Sequence, residues 1–425
     1  MHSRLVNLRC CDISQTSKSR KNKIMSKTEK WLTCTPKSFI GSARFFTRDS
    51  GLLCEGFKTL GYETQAIMLG PKREDDDERI LRATMEELCN ADFWRSFDAK
   101  GVVFYGWAMP CYTPICRAIK AAGLILVVHM DTGGLLSVRV ETRLCVPLLY
   151  RRYWDTSGFV IGSVKATLSL IRGMVPQWMD RPRLKHMELA DLIGGVSPIS
   201  CDRIKDFATY YERQDIASKV RLIGHPVSPA MRYKGEAKKM QICAVGRWTQ
   251  NDLVKQPYVM LKALKEALSN ESEYQVIIIG EYDLAFENNL KDIMGELYTK
   301  IILLGRKTSE EIASVLNESR IALCTSMSES FHIASAEALC CGCSVVSYKS
   351  PYLPSFDYFV SENSGVLAND GSTVSLAGAL VDEMHMWNHG VRDPQLISDL
   401  WTHQLHAECV AKSICTDLSL AIGGL

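Results

Sequence analysis

Residues 329–346 read ESFHIASAEALCCGCSVV. The polar pair Glu329-Ser330 follows the apolar run Ile321–Cys324, which places it in a loop after a strand. From Ile333 small and apolar residues continue to Gly342, the usual stop of a helix, and Ser344–Ser347 then reads as a buried strand. Glu329 and Glu337 therefore straddle a loop-to-helix transition, with Glu337 about one turn into the helix. Both carboxylates come to one rim, where the helix start also offers unpaired backbone N–H groups. A strand–loop–helix–strand unit of this type belongs to a doubly wound parallel sheet, whose ligands bind at the carboxyl ends of the strands.

The same alternation runs through the rest of the second half. Strands are expected at Ile242–Val245, Gln275–Ile279, Ile301–Leu304, Ile321–Cys324 and Ser344–Ser347, with helices at Pro257–Leu268, Ala285–Leu297, Ser309–Glu318 and Ile333–Cys340. In the first half, Trp31–Thr35, Thr64–Leu69, Gly101–Trp107 and Leu124–His129 read as strands, Leu192–Ser197 and Arg221–Ile223 as the last two. Val138–Leu192 is long, helical and mixed, Ser228–Lys239 is the polar linker, and Leu376–Asn388 and Pro394–Leu420 are terminal helices. The fold class that follows is α/β, with two Rossmann-like doubly wound lobes facing each other across a cleft. The expected divisions are a basic, disordered tail (1–29), a first lobe (30–230), a second lobe (231–390) and C-terminal helices packing back on the first lobe (391–425).

Bulk properties narrow the function only by exclusion. With 50 Lys and Arg against 48 Asp and Glu, the net charge of +2 gives no pointer to a nucleic-acid partner. Sixteen cysteines without regular spacing, many inside apolar runs, suit a reducing compartment. The cluster Cys340-Cys341-Gly342-Cys343 lacks a second ligand pair and reads as a helix end, not a metal site. No run approaches the ~18 apolar residues of a membrane span, so a cytoplasmic location is expected, with a peripheral place at the inner membrane face left open. Met25 offers an alternative start, which would make residues 1–24 an upstream extension. The charge run Lys72–Glu78 reads as a solvated loop. Leu144–Val175, with Arg143 before it and Arg151, Arg152, Lys165 and Arg172 within it, reads as surface helices on the sheet; the alternative is a basic amphipathic surface for anionic lipid or a lipid-linked acceptor.

An enzyme that moves a sugar from a nucleoside diphosphate must hold the ribose, neutralise the departing diphosphate and seat the sugar ring. Glu329-Ser-Phe-His-Ile-Ala-Ser-Ala-Glu337 resembles the E-x7-E signature of the retaining glycosyltransferases of family 4, the glycosyl transferases group 1, which have the GT-B fold. Val245-Gly246-Arg247 resembles that family's glycine–arginine turn, Lys255 its phosphate-binding lysine and Leu304-Gly305 its strand-end glycine. The resemblance covers Met240–Leu380; the first lobe matches only in element order and a few positions.

The resemblance implies that Arg247, Lys255, Glu329 and His129 serve catalysis. It implies donor binding by Gly41, Gly246, Gly305, Phe331, His332, Ile333 and Glu337, the last on the ribose. No metal and no cofactor are implied, since the nucleotide-sugar (UDP- or GDP-linked) is a substrate. The implied acceptor is a glycan or lipid-linked sugar of cell-surface polysaccharide synthesis. The alternatives are a non-catalytic nucleotide-sugar-binding protein of the same fold, or a sugar-nucleotide epimerase. Two departures stand out: His332 occupies a position usually held by glycine, and Arg247 and Lys255 are further apart than usual. Asp131 is a weaker acceptor-side candidate; Trp248 and His225 are read as structural.

Overall fold

A computed structural model describes residues 29–249, 252–271 and 273–422. The expected tail lies outside these residues apart from Glu29. Two parallel sheets organise the chain. The first holds β1 (Lys30–Thr35), β2 (Glu63–Leu69), β3 (Ile80–Ala83), β4 (Gly101–Phe104), β5 (Ile125–Met130), β6 (Leu192–Gly195) and β7 (Val220–Leu222), in the order β3-β2-β1-β4-β5-β6-β7. The second holds β8 (Lys239–Val245), β9 (Gln275–Ile279), β10 (Ile301–Gly305), β11 (Ser319–Leu323), β12 (Ser344–Tyr348) and β13 (Gly365–Ala368), in the order β10-β9-β8-β11-β12-β13. Every pairing is parallel. Order reverses between β1 and β4 in one sheet and between β8 and β11 in the other. Those switch points open a crevice at the carboxyl edge of each sheet.

Central strands are apolar throughout because helices cover both faces. All four residues of β4 and all five of β12 are buried. The first sheet packs one face on Ile115, Ile119, Leu184, Ile204 and Phe207. Its other face packs on Leu53, Phe57, Val410 and Ile414. Val410 and Ile414 come from the last helix, Ala407–Ile422, which lies on the helix Asp49–Thr59 of the first lobe. The two approach so closely that a Cβ on Gly56 would stand 2.2 Å from the Ala407 carbonyl oxygen. The helix Pro394–Leu405 still packs on the second core through Ile397, Trp401 and Leu405, so the crossing falls at His406; before it, Arg392 and Glu383, 1% and 0% exposed, pair at 2.5 Å inside the second lobe.

Several elements differ from the sequence expectation. The run Lys72–Glu78 is only partly a solvated loop. Asp76 forms an ion pair with Arg82 at 2.7 Å, both side chains 2% exposed, and Asp77 binds Arg79. These pairs, with β3, close the edge of the first sheet. The terminal stretch is two helices, Pro394–Leu405 and Ala407–Ile422, broken at His406. Val138–Leu192 resolves into Thr142–Ser157, Phe159–Met174 and Asp180–Glu188. Cys340, Cys341 and Cys343 are sealed in the second core, where burial pushes their thiols up.

Candidate active site

The loop after β8 and the loop after β11 are sewn together at the second switch point. The Thr325 hydroxyl donates to the Lys255 carbonyl at 2.9 Å, and the Met327 N–H donates to the Val254 carbonyl at 2.8 Å. This register sets the Lys255 ammonium on Glu329, with Nζ to Oε1 at 2.5 Å. The Glu329 N–H is in turn held by the Tyr352 carbonyl at 3.0 Å.

The helix Ile333–Cys340 starts beside that pair. Its N-cap is His332, whose Nδ1 accepts from the Ser335 N–H at 3.2 Å. An amide can only donate, so Nδ1 carries the lone pair and the proton of the neutral ring sits on Nε2. Burial, then the Lys255 charge, depress the ring to about 4, which keeps it neutral. Nε2 makes no hydrogen bond among the described residues. The amides of Phe331, His332, Ile333 and Ala334 likewise donate to no acceptor among them. Where the resemblance would place glycine, this chain has a capping imidazole, which adds a donor at the helix end. Phe331 itself points into the interlobe core, 5.4 Å from the His225 ring and 5.0 Å from that of Phe359.

Glu337 lies one turn further along, partly exposed, its carboxylate making no hydrogen bond or ion pair among the described residues. Burial pushes its carboxyl up to about 7; Arg48 pulls it down and Asp49 adds to the rise. Both of those residues belong to the first lobe, so Glu337 faces the cleft between the lobes. Arg48 and Asp49, at the start of the helix Asp49–Thr59, were not read as site residues in the sequence, because their neighbour Glu337 comes from the other lobe.

Arg247 is 73% exposed and reaches Asp252 at 3.1 Å, not Lys255. Gly246 is packed at the end of β8, where a Cβ would stand 2.9 Å from the Trp248 ring. Trp248 is buried and donates from Nε1 to the Ile279 carbonyl at 2.9 Å, so it serves the core. Gly305 ends β10 at φ +66, a conformation that favours glycine. Gly41, in the loop after β1, fits against the Asp76–Arg82 pair, where a Cβ would lie 2.0 Å from Asp76 Oδ1.

His129 ends β5 but is 1% exposed, stacked 4.5 Å from the Tyr105 ring. Burial and neighbouring His225 hold it neutral, down to about 3. It makes no hydrogen bond with Lys255 or Glu329; its charged neighbours are His225 and Asp131. Burial alone would raise the Asp131 carboxyl, but His225, 3.3 Å away, outweighs it and holds the carboxyl well below the usual range. Asp131 Oδ1 accepts from the Ser330 hydroxyl across the cleft. The lobes also meet where Arg203 donates to the Gly133 carbonyl at 3.0 Å and to the Pro351 carbonyl at 2.8 Å. No group of three or more metal-ligating side chains occurs among the described residues.

Residues 232–389 match the model of the glycosyl transferases group 1 family. That match supports placement in the glycosyltransferase superfamily and, with it, glycosyl transfer. Solved structures of the same GT-B architecture agree in fold. The lipopolysaccharide outer core galactosyltransferase WaaB in its apo form superposes with TM-score 0.58 at 13% identity, over 93% of this chain and 100% of that one. Anabaena Alr3699/HepE, in complex with UDP and glucose, gives 0.56 at 12%, over 92% and 100%. A putative UDP-N-acetylglucosamine 2-epimerase from Listeria monocytogenes gives 0.55 at 10%, over 94% and 98%. No curated protein sequence matches the chain. At these identities the structural likeness establishes the two-lobed fold, and chemistry must be read from the residues.

Proposed function

We propose that the protein is a retaining, metal-independent glycosyltransferase using a UDP- or GDP-sugar. The observation that carries this reading is the ion pair Lys255–Glu329 standing at a helix start with unpaired amides, with Glu337 one turn on and facing the other lobe. The donor's diphosphate would sit on the amides of Phe331–Ala334 and on His332 Nε2–H, where a helix N-terminus favours anions. Lys255 would leave Glu329 for a phosphate oxygen, and Arg247 would swing in from its exposed position. Glu329, released, would accept from hydroxyls of the transferred sugar, and Glu337 from both ribose hydroxyls.

In the transfer step the bond from the anomeric carbon to the phosphate oxygen breaks, and a bond to the acceptor oxygen forms on the same face. The acceptor's proton passes to the departing phosphate oxygen. The protein need supply no nucleophile; Lys255, Arg247 and the amides stabilise the charge that develops on the leaving group. The acceptor, a glycan or lipid-linked sugar, would approach from the first lobe past Asp131 and Arg48.

Incubation with UDP- and GDP-sugars and candidate acceptors, read by NMR, tests this. The expected product keeps the donor's anomeric configuration. A sugar nucleotide altered at a ring carbon without any acceptor would contradict transfer and favour epimerisation.

A further inference from the structure

The helices Thr142–Ser157 and Phe159–Met174 form an antiparallel hairpin turned at Gly158, φ +72. Polar side chains bridge the two helices at their exposed margins. Trp154 Nε1 donates to Ser163 Oγ at 2.8 Å, Tyr150 and Thr167 share a hydroxyl hydrogen bond of 2.9 Å, and Lys165 Nζ donates to Ser157 Oγ at 2.9 Å. Small residues let the helices close: a Cβ on Gly162 would stand 2.5 Å from the Tyr153 carbonyl oxygen. Gly162, Ala166 and Gly173 are the buried positions of the second helix.

The outward face is apolar. Ile161, Val164, Leu168 and Ile171 recur at helical spacing opposite the buried glycines, with Phe159 and Val160 at the tip. Phe159 is 70% exposed, Val160 74%, Ile161 60% and Leu168 62%. None of these side chains joins any of the cores. Six large apolar side chains left on one face of one helix cost free energy in water, so this face is built to be covered by a less polar medium.

Charge identifies that solvent. Between Thr142 and Met174 there are five basic residues (Arg143, Arg151, Arg152, Lys165 and Arg172) and one acid, Asp155. All five bases are exposed. On the second helix, Lys165 and Arg172 flank one edge of the apolar stripe. No helix among the described residues is long and apolar enough to cross a membrane. An apolar stripe edged by cations, too short to span, matches the interface of an anionic bilayer.

We propose that this hairpin docks the protein on an anionic lipid surface. The stripe Ile161–Ile171 enters the acyl boundary, and the arginines and Lys165 meet lipid phosphates. The hairpin's root touches the candidate site: the Tyr352 hydroxyl donates to the Leu144 carbonyl at 3.1 Å, while the Tyr352 carbonyl holds the Glu329 amide. Docking would therefore set the cleft at the membrane surface. That the acceptor is then lipid-linked rests on the transferase reading; the docking itself does not.

Sedimentation with vesicles of phosphatidylcholine mixed with phosphatidylglycerol, against phosphatidylcholine alone, tests the proposal. The protein should pellet with the anionic vesicles and far less with the neutral ones. Combined Ile161→Ser, Val164→Ser, Leu168→Ser and Ile171→Ser should cut binding about tenfold or more, and so should Arg151→Glu with Arg152→Glu. These exposed changes should leave melting temperature and any nucleotide-sugar-induced thermal shift unchanged, which separates failure here from failure of the donor reading. The proposal is overturned if the protein stays in the supernatant, or if the serine variant pellets as well as the parent. It is also overturned if sedimentation velocity shows a dimer that the serine changes dissociate, since a second copy would then cover the stripe.

Discussion

Lys255 and Glu329 neutralise each other at 2.5 Å across the joint between two loops that come from different strands of one sheet. In the free protein the pair satisfies two partly buried charges. With a donor bound, each would have a better partner, a phosphate for the lysine and sugar hydroxyls for the glutamate. Lys255→Ala should lower turnover by ~10²–10³-fold, comparable to removing one preorganised donor from a transition-state oxyanion. Steady-state kinetics on an identified donor checks this; an unchanged kcat would remove Lys255 from the chemistry.

Glu337 gives donor binding a pH dependence. Its carboxyl sits near 7 in the folded protein because burial disfavours the charge. A carboxylate accepts from both ribose hydroxyls, whereas the protonated form has lost acceptor capacity. Donor affinity should therefore rise as pH goes from 6 to 8. Calorimetric titrations across that range should show the rise in the parent and a flat, weaker profile in Glu337→Gln.

His332 separates into two functions by substitution. Asn offers an acceptor oxygen near the place of Nδ1 and can keep the cap, whereas Gln can place an N–H near Nε2 but loses the cap. His332→Asn should hold its melting temperature and bind donor about tenfold more weakly, the loss of one hydrogen bond to a charged group. His332→Gln should melt lower, by the ~0.5–2 kcal/mol of a lost cap, and retain more of the affinity.

Acid should destabilise the fold before carboxylates titrate fully. His129 near 3, His186 near 4 and His332 near 4 are all depressed by burial from 6.5. Between pH 6.5 and 4 the unfolded chain binds protons at these rings that the folded chain does not, so stability rises with pH across that window and is lost as pH falls. Three groups act the other way, one of them Asp417, raised by burial. His225, raised by Asp131 against its own desolvation, favours the fold at low pH, and so does Glu337 between its unfolded and folded values. With His406, also lowered by burial, four depressed rings stand against three raised groups and predict a net fall in melting temperature from pH 6.5 to 4.5, measurable by scanning calorimetry.

Arg392→Ala should cost ~3–5 kcal/mol, since it strands the sealed Glu383 carboxylate. Both residues lie in the second lobe, so chemical denaturation should show the loss in that lobe's transition.

The fold was legible because central strands such as Gly101–Phe104 and Gln275–Ile279 are short, apolar and regularly spaced between amphipathic helices. β3 and β13 were not: each has only four residues and lies at a sheet edge. Glu329, His332 and Glu337 were legible as neighbours of one helix start, whereas Lys255 came only from the family resemblance, and its loop joins theirs through Thr325 and Met327. Asp131 and Ser330, 199 positions apart, meet only once the lobes face each other, and no local pattern carries that contact. Arg48 and Asp49 were missed for the same reason. His129 shows the converse: its place near a strand end pointed to the cleft, but the Tyr105 ring stacks on it and the tilted His225 ring lies 4.9 Å away.

The central claim is that Glu337 and its helix start form a nucleotide-sugar site. A thermal-shift panel of UDP- and GDP-sugars on the parent and on Glu337→Ala tests it most directly. At about 100 times its dissociation constant, a true donor stabilises by ~2.7 kcal/mol. The account predicts that at least one compound raises the parent's melting temperature and that the variant loses most of the shift. Equal shifts in both proteins, or none with any nucleotide sugar, would contradict it.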